Sequence, residues 1–162
     1  MDNPVERVLV YLDGSIESVT AARYAICLCK KLNAKLYGTF IINTHALNDL
    51  VKSRIFIESE QIEYKNDLEA DADKYLRNFE TEAVSKGLAP ECIKESGLVN
   101  VKIKELVRSY EIDLFVIGEL SRIRSRRDEF HNESERAMRS VPCSVLIVKD
   151  EDRVDDIYEN LN

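Results

Sequence analysis

The chain predicts an α/β domain built on an open, doubly wound parallel sheet of five strands in the order 3-2-1-4-5, with helices on both faces. Two observations carry this expectation. Short apolar runs rich in β-branched residues alternate with amphipathic helical stretches from one end of the chain to the other. The strand runs are also nearly continuous in apolar character, as strands covered on both faces must be. Right-handed crossovers then make the doubly wound arrangement the economical one.

The first strand is Val5 to Leu12, and it ends at the turn signal Asp13-Gly14-Ser15. Val19, Ala22, Ile26 and Cys29 recur at helical spacing after it. Ser15 or Ser18 caps the start of that helix, and Asn33 suits its C-terminal end. Ala34 to Asn43 is the second strand, and 44–57, without a clear period, reads as a loop holding at most a short helical turn. A long helix follows from about Glu58, with Leu68, Ala72, Tyr75, Leu76, Phe79 and Ala83 on one stripe and Lys86-Gly87 as its stop.

Glu91 to Ser96 is a third strand whose polarity suits an edge. Asn100 is the expected cap of a helix carrying Ile103, Leu106, Val107 and Tyr110. Ile112 to Ile117 is a buried strand closed by Gly118, and an arginine-rich loop runs on to about His131. Asn132-Glu-Ser-Glu135 has the form of a capping box for a short helix that stops before Val141-Pro142. Ser144 to Val148 is the fifth strand. The domain is expected to span 1–149, with 150–162 an acidic C-terminal tail, a loosely held segment or helix.

Composition narrows the function classes. No apolar run reaches the length of a membrane span, and the first residues lack the pattern of a secretory signal, so a cytoplasmic location with no membrane partner is expected. A net charge of −7 argues against a nucleic-acid partner. Four cysteines, at 27, 29, 92 and 143, contain no CxxC pair, and His45 and His131 stand apart from them. Free thiols and no metal site are expected. Charge is unevenly placed: Asp150, Glu151, Asp152, Asp155, Asp156 and Glu159 gather at the end, while Arg122, Arg124, Arg126 and Arg127 form a basic knot.

Ligands of doubly wound sheets bind beyond the carboxyl ends of the strands, where the strand order reverses. Two loops lie there: Asp13-Gly14-Ser15 and the segment from Gly118 onward. Asp13 is suited to accept from a ribose hydroxyl or a base amine, and equally to cap the turn or the helix that follows. The residues leave both readings open.

Ser134-Glu-Arg-Ala-Met-Arg-Ser-Val-Pro-Cys-Ser-Val-Leu-Ile-Val148 resembles the ending of universal stress proteins. Val8-Leu-Val-Tyr-Leu-Asp-Gly-Ser15 resembles their opening strand and turn, and Asp113-Leu-Phe-Val-Ile-Gly118 their fourth strand. The likeness covers nearly the whole chain in order and spacing. It implies a stress-response or regulatory binding protein that pairs as a homodimer through the fifth strand, Cys143 to Lys149. It also implies an adenine gripped between the turn at Asp13 and the end of the second strand near Ile41.

ATP-binding members of that family carry Gly, two residues, Gly, nine residues, then Gly with Ser or Thr. The same spacing here meets Gly118, Ser121, His131 and Asn132, so one glycine of three remains. Glycine lets the backbone approach phosphate oxygens without a Cβ in the way, and His131 is bulky where that approach is needed. Ser121 retains a hydroxyl donor, and Asn132 is claimed by its role as a cap. Arg124 and its neighbours either hold phosphate groups in place of the lost amides or form a solvated loop paired with Asp128, Glu129 and Glu133. Contact between that knot and the acidic tail is a third arrangement.

The expectation is a degenerate adenine-nucleotide cleft in which ATP binding is in doubt. Its candidate ligands are ATP or another adenine nucleotide. Its candidate residues are Asp13, Ser15, Ile41, Gly118, Ser121, Arg124, His131 and Asn132. No P-loop, dinucleotide fingerprint or GxSxG elbow is present, and no catalytic residue is named. Asp13, Ser15 and His131 are read as a chance grouping, and Asp71 and Asp73 as solvated surface. Two alternatives remain: a weak nucleotide hydrolase or phosphotransferase using the Arg122–Arg127 loop, and a scaffold acting only through protein partners.

Overall fold

The computed structural model describes residues 3–44, 48–49, 52, 58–120 and 133–162. Its elements are β1 (Arg7–Leu12), α1 (Ile16–Leu32), β2 (Lys35–Ile42), α2 (Glu58–Ser85), β3 (Glu91–Ser96), α3 (Val99–Ser109), β4 (Leu114–Gly118), α4 (Glu133–Ser140), β5 (Ser144–Val148) and α5 (Glu151–Glu159). The sheet has the expected order β3-β2-β1-β4-β5, and every neighbouring pair is parallel. Thr44, Asn48, Asp49 and Lys52 are helical; the rest of the 45–57 stretch and the whole arginine loop, 121–132, lie outside the described residues.

The pleat divides the core into two halves. Val8, Val10 and Leu12 of β1 point to one face, where Ala21, Ala25 and Ile26 of α1 and Phe79 of α2 cover them. Leu9 and Tyr11 point to the other, against Val99, Ile103 and Leu106 of α3 and Ala137 of α4. Phe115 and Leu9 are almost wholly removed from water, which contributes about 2–3 kcal/mol for each such side chain. β3, the polar strand, holds the edge beside β2.

Helix ends follow local chemistry. Ser15 caps α1 by accepting from the Ser18 amide, and Asn33 closes it at φ 54°. Gly87 closes α2 at φ 85°: its amide reaches Val84 O, and the Leu88 amide reaches Ala83 O at 3.1 Å. The expected cap of α3 is corrected. Leu98 occupies the N-cap with no side-chain bond, and Asn100 lies inside the first turn. Gly97, at φ 141° with its amide on Ile42 O at 2.9 Å, turns the chain so that the helix starts earlier than Asn100 suggests.

After α3 the same type of closure falls on Glu111, held at φ 52° while the Ile112 amide bonds Val107 O at 2.9 Å. A side chain in that region costs about 1–2 kcal/mol, which glycine escapes at some cost in unfolded-state entropy. Glu111→Gly is therefore expected to stabilise the chain by about 0.5–1 kcal/mol, raising Tm by about 2 °C. Thermal unfolding followed by circular dichroism checks this, and a fall in Tm would contradict it.

Most of the 150–162 segment forms α5, Glu151–Glu159, packed on α1. Val154 and Leu161 join the core, only 1% and 7% exposed. Arg23 of α1 holds Glu82 of α2 at 3.0 Å and Asp155 at 2.8 Å, so its charged form is favoured first by the Glu82 bond and then by Asp155. The Tyr158 ring lies near both Arg23 and Lys86, and Lys86 Nζ donates to Leu161 O at 2.9 Å. Asp155 of the acidic segment is thus engaged within the fold.

All four cysteines are free. Cys27 and Cys29 are buried on α1. Burial pushes the Cys29 thiol up to about 12 and, with help from the charge of Glu80, Cys92 up to about 11. No described helix is long and apolar enough to cross a membrane.

Candidate functional site

β1 and β4 are adjacent strands whose chains continue to opposite sides of the sheet, and a cleft opens at their carboxyl ends. Tyr11 and Asp13 line it from the end of β1, Ser15 and Glu17 from the start of α1, and Gly118 and Glu119 from the end of β4. Ser134 of α4 closes one side. The cavity is about 50 Å³, well short of the ~300 Å³ that encloses a whole small ligand.

The turn at Asp13 is internally committed. Asp13 Oδ1 accepts from the Ser15 amide at 2.9 Å and from the Ser15 hydroxyl. Ser15 Oγ accepts in turn from the Ser18 amide at 3.1 Å. Gly14, at φ 84°, brings the turn against the Tyr75 ring. One carboxylate oxygen therefore serves the turn and the cap, and the side chain remains exposed to solvent at the cleft.

Gly118 is required for packing. A Cβ built on it would lie 2.5 Å from the backbone carbonyl of Glu17, so the first turn of α1 rests directly on the end of β4. The one motif glycine left in the chain is thus explained by contact between two parts of the protein's own backbone. Asp113, at the other end of this strand region, accepts from the Glu6 and Arg7 amides at 2.8 and 2.9 Å and so joins β4 to the start of β1.

Two residues that the sequence did not single out sit beside the turn. Tyr11 is 5% exposed, and burial, then the charges of Asp13 and Glu133, push its phenol well above its ordinary value. Glu133 Oε1 accepts from Asn43 Nδ2 at 3.3 Å and lies 3.8 Å from Arg136, while Oε2 is buried with no hydrogen-bond partner among the described residues. Alternation along β1 aims Tyr11 and Leu9 at one face, a weak signal for the first. Glu133 reads as part of the capping-box stretch and as a partner for the arginine loop, and nothing in the sequence joins it to Asn43.

Of the candidate residues, the fold brings Asp13, Ser15 and Gly118 together. Ile41 is 4% exposed in the core on the α3 side with Tyr11 and Ile103, and does not line this cleft. Ser121, Arg124, His131 and Asn132 lie outside the described residues, as do Arg122, Arg126 and Arg127. Asp73 pairs with Lys94 of β3 at 2.9 Å on the surface.

Strand order, the turn after β1 and the position of Gly118 agree with a comparison against family descriptions, in which residues 4–149 match the universal stress protein family. The chain belongs to the universal stress protein family. A universal stress protein of Methanocaldococcus jannaschii is 22% identical over 148 residues, covering 91% of this chain and 84% of the relative. Among solved structures, a universal stress protein family member from Burkholderia pseudomallei superposes with a TM-score of 0.67 at 18% identity, covering 93% of this chain and all of that one. One from Arabidopsis thaliana, solved with AMP bound, has a TM-score of 0.62 at 15% identity and covers 89% and 91% of the two chains.

The universal stress protein match ends at residue 149, immediately before α5. In this universal stress protein β5 has one neighbour in the sheet, β4, and its other edge is unpaired among the described residues.

Proposed function

We propose that this protein is a homodimeric stress-response binding protein whose cleft accepts a small adenine ligand of low phosphate charge, adenosine or AMP in preference to ATP. The observation that carries the reading is the charge of the cleft. Asp13, Glu17 and Glu119 line it, and no Lys or Arg does so among the described lining residues. Lys149 approaches Glu119 at 4.0 Å from outside. Carboxylates in a half-enclosed cleft oppose a second polyanion, and Gly118 is engaged with Glu17. Nucleoside hydroxyls and amines, by contrast, are donors suited to Asp13 and to the Tyr11 and Ser134 hydroxyls. The AMP-bound relative from Arabidopsis thaliana supports an adenine compound as the ligand class.

The protein acts in this reading by binding, with no catalytic residue. Its second copy pairs along Cys143 to Lys149, where Val145, Leu146 and Ile147 are half-buried in the single chain. An apolar edge of this kind is a template for further strand pairing, and two-fold pairing covers it.

Calorimetric titration with ATP, ADP, AMP and adenosine, with and without magnesium, tests the ligand. Adenosine and AMP are expected to bind at least about tenfold more tightly than ATP, a difference of about 1.4 kcal/mol. ATP binding as tightly as AMP, with strong salt dependence, would mean that the arginine loop supplies the phosphate site. Silence across the series would remove the nucleotide reading. A monomer in sedimentation at micromolar concentration would remove the dimer.

A further inference from the structure

We infer that the groove between α3 and α4 is a docking site for an extended acidic segment of a partner protein. Asn100, Lys104 and Arg108 follow one another at four-residue intervals along α3, and Arg139 and Ser140 at the end of α4 form the opposite wall. The groove has a volume of about 510 Å³ and shares no lining residue with the cleft.

Residues four apart on a helix stand about 5–6 Å from each other on one face. Alternate residues of an extended peptide are about 6.6 Å apart, so every second side chain meets the next donor on α3. The donors are available. Lys104 and Arg108 form no ion pair among the described residues. Glu105, the carboxylate in the groove, lies 3.5 Å from Lys102, and Arg139 is 3.0 Å from Glu135 with most of its side chain in solvent. Val101, 43% exposed, adds apolar surface beside the Lys and Arg stems.

The choice of partner follows from charge. On a chain of net charge −7, three unopposed or solvent-facing cations in one groove mark a local positive field. Guanidinium forks match carboxylates in geometry as well as sign. A nucleic acid is a polyanion that runs well beyond the groove and would meet the repulsion of the rest of the chain, whereas a short acidic segment stays within the local positive field. A second copy offers the exposed Asp152 and Asp156 of α5, but such a contact joins unlike surfaces, so a closed pair would need both copies to make it reciprocally at once.

The test is fluorescence anisotropy of a labelled decapeptide alternating Glu and Ser, with a Gln and Ser peptide as its control, on the full chain at low ionic strength. The Glu peptide is expected to bind, and Lys104→Gln with Arg108→Gln is expected to weaken it at least about tenfold. Lys65→Gln with Arg77→Gln removes the same charge from exposed sites on α2 and is expected to change affinity less than about twofold. Circular dichroism confirms that both variants fold. Absence of binding, equal losses in the two variants, or equal binding of the Gln peptide overturns the proposal. So does low-salt self-association abolished by the Lys104 and Arg108 changes, which would assign the groove to a second copy.

Discussion

Gly118→Ala is expected to destabilise the protein by about 3 kcal/mol, the upper end of the usual cost of overpacking. The added methyl carbon would lie 2.5 Å from Glu17 C and O, against the ~3.5–4.0 Å of ordinary carbon contacts. Neither side yields easily. The first turn of α1 is held by the Asp13 and Ser15 bonds, and β4 is paired on both edges, with β1 and β5. Relief therefore means lifting the start of α1 off the sheet, which also opens the cleft. Urea unfolding measures the result: with a slope near 2 kcal/mol/M, the midpoint falls by about 1.5 M. A variant within about 0.5 kcal/mol of the parent, the range of ordinary surface changes, would show that the close approach of Glu17 is not present in solution.

The second large effect lies at Gly38, in the middle of β2. A Cβ there would come within 2.3 Å of Phe79 Cε2, and Phe79 is 3% exposed on α2. Gly38→Ala is expected to cost about 2–3 kcal/mol, and Phe79→Ala alone about 3–5 kcal/mol through the cavity it leaves. The two changes are complementary, because the new methyl enters the space the ring vacates. The double variant is expected to be about 2 kcal/mol more stable than the sum of the single losses. Strict additivity in the same urea experiment would mean that the helix and strand do not meet at these two positions.

Both effects concern glycines, and they show where sequence reading stops. Gly38 lies inside an apolar run, and its need for an aromatic ring more than forty residues away has no local signal. Gly118 sits at a family motif position and reads first as a phosphate-binding residue, while its observed duty is to Glu17. Asp13 shows the same limit in a milder form. Turn chemistry made capping and ligand contact equally plausible, and only the bonds to Ser15 reveal that one oxygen is already committed.

At the C-terminus, the concentration of acids obscured an amphipathic pattern. Val154 lies in α5 and Leu161 just past its end, and both enter the core, yet six carboxylates within ten residues left the segment open as a loosely held tail or a helix. Asn100 misled for a related reason. It is a good capping residue, but Gly97 had already turned the chain.

By itself the sequence determined the kinds of element, their order, the edge position of β3 and the turn after β1. These rest on periodicity, propensity and turn chemistry, which act within a few residues and leave their mark in any short window. The tertiary structure decided which side chains meet at the β1–β4 cleft, why Gly38 and Gly118 must lack a Cβ, and that α5 completes the core. Those outcomes depend on contacts between residues tens to more than a hundred apart, and they form only when the crossovers bring distant segments within reach of one another.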